Sequence, residues 1–352
     1  MYIIKLLNFD RQIVGWISDF LSNRVQRTVV EGCLSDPCKI TSGVPQGSVL
    51  GPTLFIIFVN DLLNVLEQQS KVSIFAFADD LKVLSSNPAH LQEALILVNK
   101  WSKQWQLCIQ PDKSEYISFH STKHNQITND YFIGGKLIKQ TPIVKDLGIY
   151  LTNNFKWTAQ ISHMFSKAIR LTYIVIRTFK SHNTQIYTQT FKSHIRPLLE
   201  YNCSVWNPYL KSDIRKIETV QRTFTRLLCK KLNIRYNDYQ HRLKILNLDT
   251  LEQQRLKTDL ILAYKIRHKL VNLNSIPFLT LNHIPKTYNL RRHTENLLSS
   301  FSKSSIRAQF FSNRIAKVWN RLPQELISSN NLQIFKSRIK LMDLSEFTDL
   351  VF

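Results

Sequence analysis

Apolar residues recur every three or four positions at Ile13, Trp16, Ile17 and Phe20, which predicts a first helix over 11–22. Residues 25–30 and 38–41 read as strands around a turn at Ser35-Asp36-Pro37. The stretch SGVPQGSVLGP, 42–52, is a loop leading into a helix over 52–66, with Pro52 near its first turn. That helix is apolar almost all round through Phe58, the pattern of a buried helix. Residues 72–78 and 81–84 read as two strands joined by a turn carrying Asp79 and Asp80. Leu91, Leu95, Val98, Trp101 and Trp105 predict a helix over 89–105. Residues 115–119 and 143–151 read as strands, and 131–138 as a hairpin closed by Gly134-Gly135.

After about residue 157 the period becomes helical, with helices predicted over 159–180, 184–200, 212–231, 250–270 and 305–320. In 212–231, Ser212 stands at the capping position. Ile214, Ile217, Gln221, Phe224 and Leu228 share one face of that helix; Arg215, Arg222, Arg226 and Lys230 share another. Residues 275–304, with Pro277 and Pro285, read as a looser connection. All eight glycines lie between Gly15 and Gly148, so turns needing positive φ should be scarce beyond them. The pattern is α+β: strands and turns first, helices afterwards.

Charge adds a partner. The 352 residues carry 47 Lys and Arg against 25 Asp and Glu, a net +22, which points to a polyanion: nucleic acid first, an anionic membrane surface second. The first hundred residues hold 8 basic and 9 acidic side chains, the remainder 39 and 16, so the basic surface belongs to the later part. Five cysteines without CxxC spacing suit a reduced intracellular protein rather than a secreted one. No signal peptide is readable, and the longest apolar run, Leu54 to Val59, is far too short to span a bilayer, so no membrane partner is expected.

Two adjacent carboxylates on a turn, Asp79 and Asp80, repel one another unless solvent or a cation neutralises them; a solvated hairpin and a Mg²⁺ site are both open. The glycines of 42–52 allow close backbone approach to a ligand, or simply form a helix entry. Trp101, Trp105, Trp206 and Trp319 read as core anchors rather than base-stacking platforms. His120 and His124 have four-residue spacing without an obvious third ligand. Basic residues outnumber acidic ones across 211–257, a solvated face or a phosphate track.

Together, SGVPQGSVLGPTLF and FADDLKV resemble motifs B and C of the reverse transcriptases of non-LTR retrotransposons, the LINE-type and jockey-like elements. WISDFLSNRVQ (16–26) resembles the segment those enzymes place before motif B, PDKSEYISF the motif D region, and KDLGIYLTNNFKW (145–157) motif E, the primer grip. LLEYNCSVWNP (198–208) and RIAKVWNRLP (314–323) resemble segments beyond the palm of jockey-like elements.

The resemblance implies a partial right-hand polymerase palm at 1–157, built of antiparallel sheet with helices. An all-α thumb-like basic region at 158–274 and a C-terminal helical region at 275–352 would follow. It implies an RNA-directed DNA polymerase that joins a dNTP to a primer 3′-OH, with RNA template, DNA primer and two Mg²⁺ ions as partners. Asp79 would bind metal, with Asp80 beside it in a supporting role. Pro45, Gln46, Gly47 and Phe77 would meet nucleotide, template and primer end, and Lys113 would protonate pyrophosphate; a turn role for Gln46 and a solvated role for Lys113 are the plainer alternatives. Leu147 and Gly148 would lie in the primer grip, and Arg215, Arg222, Arg226 and Lys230 along the nucleic-acid backbone.

The family also requires an Asp from motif A, which would lie just N-terminal to Leu6-Leu7, where the chain begins. The fingers would be missing too, so an N-terminally truncated chain of low or no activity is expected. A non-catalytic nucleic-acid-binding remnant of a retroelement is the rival expectation. Asp10 reads as a helix cap and Asp61 as structural.

Overall fold

The computed structural model describes residues 9–119, 129–271, 279, 296–299 and 301–351. The chain divides into two compact units between Thr141 and Pro142.

The first unit opens with α1 (Arg11–Leu21), capped as predicted by Asp10, whose carboxylate accepts from the Gln12 amide at 2.8 Å. Four short strands follow: β1 (Arg24–Gln26), β2 (Val29–Val30), β3 (Cys33–Leu34) and β4 (Cys38–Ile40). β1 pairs with β4 and β2 with β3, both antiparallel. The turn lies at Glu31-Gly32 (φ 49° and 83°), not at the expected Ser35-Asp36-Pro37. Two consecutive left-handed residues close a two-residue hairpin, while Ser35 is taken up by Thr28, whose amide donates to its Oγ at 2.9 Å.

Helix α2 (Gly51–Gln69) is longer than predicted and is not buried all round. Leu54, Leu62 and Leu66 are buried, but Ile56 is 59% exposed. Packing explains the difference: α1 covers Leu54, and the next hairpin and helix cover Leu62 and Leu66, while the opposite face has no cover among the described residues. The hairpin is β5 (Ser73–Phe77) and β6 (Asp80–Leu84), paired Ile74 with Val83, Ala76 with Leu81 and Phe77 with Asp80. Helix α3 (Pro88–Gln104) begins on an Asn87 cap. Its Ala94, Val98 and Trp101 form one core with Leu62 and Leu66, against which Ile74, Leu81 and Val83 pack. The Trp101 indole N–H donates to Asp61 at 2.7 Å, so Asp61 is structural as expected.

Strands β7 (Glu115–Tyr116), β8 (Phe132–Ile133), β9 (Lys136–Leu137) and β10 (Lys139–Gln140) complete the unit. The Gly134-Gly135 hairpin forms as predicted. β7 is shorter than the expected 115–119 and pairs with β10 in parallel, against the all-antiparallel expectation. Every sheet among the described residues has two strands.

The second unit begins with β11 (Ile143–Asp146) and β12 (Ile149–Thr152). The single strand expected over 143–151 is instead a hairpin, because Leu147 and Gly148 turn it with φ 44° and 87°. Helices follow: α4 (Thr158–Thr178), α5 (Thr184–Thr190), α6 (Arg196–Glu200), α7 (Cys203–Trp206), α8 (Lys211–Lys231), α9 (Tyr239–Leu246) and α10 (Leu251–Arg267). After these come α11 (Ser305–Ala308), α12 (Phe311–Trp319), α13 (Gln324–Ile327), α14 (Leu332–Leu341) and α15 (Ser345–Val351). A wide π-turn, Phe191–Ile195, joins α5 to α6. Its cause is Pro197, which has no N–H to give; the Arg196 amide reaches back five residues to the Phe191 carbonyl.

Ser212 does not cap α8; Leu210 occupies that position without a side-chain bond. Left-handed turns are also less scarce here than the missing glycines suggested. Asn202, Asn233 and Asn247 adopt positive φ, since a short amide side chain tolerates it.

Two cores meet along α10. One gathers Ile161, Phe191, Trp206, Phe224 and Leu251; the other gathers Leu260, Tyr264, Ile315, Trp319 and Phe335. Trp206 and Trp319 are fully buried anchors, as predicted. Between them Arg314 donates from Nε to Asp259 at 2.9 Å and from Nη2 to the Ser204 carbonyl at 2.6 Å. Ile149 of β12 joins the first core, so the β11–β12 hairpin packs with the second unit, which begins sixteen residues ahead of the boundary expected after 157. The boundary expected after 274 and the pair His120 and His124 lie outside the described residues.

Two outcomes test these assignments. Iodoacetamide followed by mass spectrometry should label Cys33, Cys38 and Cys108 in the folded protein, and Cys203 and Cys229 only after unfolding. Burial pushes the Cys203 thiol up to about 12, which also keeps it protonated at the labelling pH. Arg314→Ala should cost about 3–5 kcal/mol in urea unfolding, because it strands the buried Asp259 carboxylate.

Candidate active site

The loop 42–50 is held from both sides. Val44 and Leu50 pack against Ile17 and Leu54, which fixes it between α1 and the start of α2. Arg24 clamps it: Nη2 donates to the Ser42 carbonyl at 3.1 Å and to the Gly43 carbonyl at 2.7 Å, while Nε donates to Leu21 at 2.9 Å. Inside the loop Ser48 Oγ donates to the Pro45 carbonyl at 2.7 Å and accepts from the Gly51 amide at 3.0 Å. A Cβ at Gly51 would lie 2.8 Å from the Pro45 carbonyl oxygen, so only glycine fits where loop becomes helix. Gly47 turns the loop with φ 79°, and Gln46 and Gly47 are exposed while Pro45 is half-buried.

The acidic turn is two packing steps away. Helix α2 packs on β5, and the hairpin's Ile74 and Val83 face the core. Alternation then sends Phe75 (53% exposed), Phe77 (62%) and their partners Lys82 and Asp80 outward. Ala78 and Asp79 form the turn, Ala78 with φ 52°, while Asp80 already belongs to β6 rather than to the turn. Both carboxylates are exposed. Among the described residues no group of three or more His, Cys, Asp or Glu side chains could hold a metal. The pair offers only hard oxygen donors, which suits an ion that takes one or two protein carboxylates and completes its shell from substrate phosphates.

Residues 2–151 match the family model of reverse transcriptase, RNA-dependent DNA polymerase. These residues are thus similar in sequence to reverse transcriptases. Several curated relatives are proteins of mobile elements. The chain is 28% identical over 252 residues to the RNA-directed DNA polymerase from mobile element jockey of Drosophila melanogaster, covering 67% of this chain and 27% of that protein. It is 27% identical over 261 residues to the probable RNA-directed DNA polymerase from transposon BS of the same fly, covering 70% and 28%. A weaker relative, the Pol polyprotein from retrotransposable element R2 of Popillia japonica, is 23% identical over 148 residues, covering 39% and 24%. The chain thus spans about a quarter of the length of these three relatives. Reverse transcriptases work with divalent metal ions, a nucleic-acid template and primer, and nucleotides. No helix among the described residues is long and apolar enough to cross a membrane.

The remaining expected site residues are spread out along the chain. Lys113 ends a single 3-10 turn, Pro111–Lys113, and is exposed. Leu147 and Gly148 form the β11–β12 turn in the second unit, where the Tyr201 hydroxyl donates to the Leu147 carbonyl at 3.1 Å. Arg215, Arg222, Arg226 and Lys230 all emerge on the exposed side of α8. Arg222 lies over the Tyr239 ring, 4.2 Å from its centroid. The acidic residues of α8, Asp213 and Glu218, are buried instead. Burial pushes the Glu218 carboxyl up, opposed by hydrogen bonds from the Tyr239 hydroxyl and the Leu251 amide.

Sequence reasoning passed over Arg24, the clamp of the loop. Its signal was slight: a lone arginine between a helix and a three-residue strand. Gly51→Ala should strain the loop–helix junction by about 1–3 kcal/mol in chemical denaturation. Arg24→Gln should leave that stability nearly intact but speed proteolysis within 42–50.

Proposed function

We propose that this chain takes part in RNA-directed DNA synthesis, with Asp79 and Asp80 as the metal-holding carboxylates of its nucleotidyl-transfer site. The observation that carries the reading is the paired carboxylates at the tip of a hairpin seated on α2, the helix that issues directly from the clamped glycine loop. Divalent ions bound there would lower the pKa of the primer 3′-OH and neutralise charge on the triphosphate. Asp79, at the turn, carries the larger share, and Asp80 supports it. The exposed backbone around Pro45, Gln46 and Gly47 offers amides and carbonyls to nucleotide and template. Phe77, outward on the face of Asp80, gives the primer end an apolar seat. Lys113 donates a proton to pyrophosphate. Leu147 and Gly148 hold the primer strand, and the α8 row of Arg215, Arg222, Arg226 and Lys230 lies along duplex phosphates. The protein then reads as a palm-like region followed by a helical thumb-like region.

A second reading, nucleic-acid binding without chemistry, is favoured by one observation: among the described residues no group of three or more metal-ligating side chains gathers at the hairpin tip, where Asp79 and Asp80 stand. Positioning supplies most of phosphoryl-transfer catalysis, so two ligands leave it weak.

Metal-directed cleavage separates the two. With Fe²⁺ and ascorbate in place of Mg²⁺, and an RNA–DNA primer–template plus dNTP present, the backbone should be cut around 78–81. Asp79→Asn should abolish the cuts and Asp80→Asn should weaken them. Diffuse cleavage, or cleavage indifferent to Asp79→Asn, would leave the binding-only reading.

A further inference from the structure

The segment 198–208, LLEYNCSVWNP, is pinned on its inner side and extends one aromatic arm outward. Leu199, Cys203 and Trp206 enter the core shared with Phe191 and Phe224. The Tyr201 amide donates to the Pro197 carbonyl at 2.9 Å, and the Tyr201 carbonyl accepts from the buried Trp206 indole at 2.7 Å. Arg314 donates to the Ser204 carbonyl at 2.6 Å and Arg255 to Asn207 at 3.0 Å, which ties the segment to α12 and α10 as well. Tyr201, between α6 and α7, is thus fixed through its backbone while its side chain is 56% exposed.

That side chain lies on the β11–β12 turn. Its hydroxyl donates to the Leu147 carbonyl at 3.1 Å, and a Cβ on Gly148 would stand 3.4 Å from its ring carbon Cε1. The turn is one that leucine resists. Leu147 has φ 44° and Gly148 φ 87°, the two positive values of a type I′ turn. A left-handed leucine crowds its Cβ against the following carbonyl, so the surroundings have to hold it there. Left to itself, a Leu-Gly pair suits a type II turn, which needs positive φ only at the glycine. That turn matches the twist of paired strands poorly and splays them. The anchors of β12 lie beyond the turn: Ile149 enters the core, and Gln160 accepts from the Tyr150 amide at 3.0 Å. Tyr201 is the contact made with the turn's own two residues that can select one form over the other.

We propose that Tyr201 is a positioning residue, which holds the Leu147–Gly148 turn in the left-handed form that meets the primer strand. This rests on the reading of Leu147 and Gly148 as primer-strand contacts. Alternation puts Lys145 and Leu147 on the exposed face of β11, so a splayed tip would move both away from where the pinned Ile149 sets them. A positioning group needs a support more rigid than what it holds. Segment 198–208 is such a support, locked to the core through Trp206 and to α12 through Arg314. Helix α12 thereby bears on the turn by way of Arg314, Ser204 and Tyr201.

The test uses the full chain, with and without a 20-base-pair RNA–DNA primer–template hybrid, and follows amide hydrogen exchange over 143–152 by mass spectrometry. Tyr201→Phe keeps the ring and removes one hydrogen bond, so without the hybrid the hairpin should exchange about twofold to tenfold faster. Tyr201→Leu should speed it further. Peptides from 161–176 and 217–229 should exchange as before, since Tyr201 is no part of the core they form. In the wild-type chain the hybrid should slow exchange over 143–152, less so in Tyr201→Phe and least in Tyr201→Leu. Adding Leu147→Gly to Tyr201→Leu should restore about half of that slowing or more, because Gly-Gly is a favoured type I′ pair. A tyrosine that merely stabilised the unit could not be replaced in this way. Unchanged hairpin exchange in both Tyr201 variants would overturn the proposal. So would faster exchange with undiminished slowing by the hybrid, or a failure of Leu147→Gly to restore it; Tyr201 would then be structural only. If the hybrid does not slow 143–152 even in the wild-type chain, the primer-strand reading itself fails, and the role of Tyr201 falls with it.

Discussion

Everything in the first unit that bears on chemistry depends on Leu62 and Leu66 of α2 meeting Ala94, Val98 and Trp101 of α3. That contact makes a two-helix floor with an apolar seam. The β5–β6 hairpin has one apolar side, through Ile74, Leu81 and Val83, and the seam is where it buries it. Once the inner side is fixed, strand alternation leaves no freedom about the outer one. Asp80 must face away from the floor, beside Phe77. The hydrogen bond from Trp101 to Asp61 adds a directional lock across the same seam, worth more than an ordinary one because its acceptor is charged. The glycine loop is tied to the same floor at its other end, through Leu54 and the junction at Gly51.

The second unit solves a different problem. Its two cores are joined by α10, which carries Leu251 into one and Leu256, Leu260 and Tyr264 into the other. Charged groups lie inside the joint: Arg255 gives Nε to Asn207 at 3.0 Å, and Arg314 is paired with Asp259. Such groups are poor contributors to net stability but costly to mismatch. They fix which face of α12 meets α10, and so keep a helix-rich unit from sliding among equivalent apolar packings.

How much of this could be read beforehand varied with the kind of signal. Helices with strong periodicity, 89–105 and 212–231 among them, appeared within a residue or two of their predicted limits. The acidic hairpin and the Gly134-Gly135 turn were legible because alternation and turn residues agree there. Other features depended on cover or closure that the chain does not spell out. The first half of α2 is apolar all round, yet among the described residues only one side of it meets a neighbour. Leu147 takes a left-handed conformation that leucine ordinarily avoids, so the break at 147–148 was invisible in a run of strand formers. At the candidate site the carboxylates and the loop were named from sequence, but Arg24 was not, since its role lies in three backbone carbonyls that no pattern marks.

The outer face of the β5–β6 hairpin has a consequence for the molecule's behaviour in a crowd. Phe75, Phe77 and Leu84 form an uncovered apolar row, and among the described residues no third strand pairs with either edge. A strand pair of that kind invites other chains to extend it. Lys82 and Asp80, opposite Phe75 and Phe77, put one charge of each sign into the row, and such residues break up self-association of apolar strands. Asp80, beside the turn rather than in it, thus interrupts the apolar row with a charge at the end where the hairpin closes.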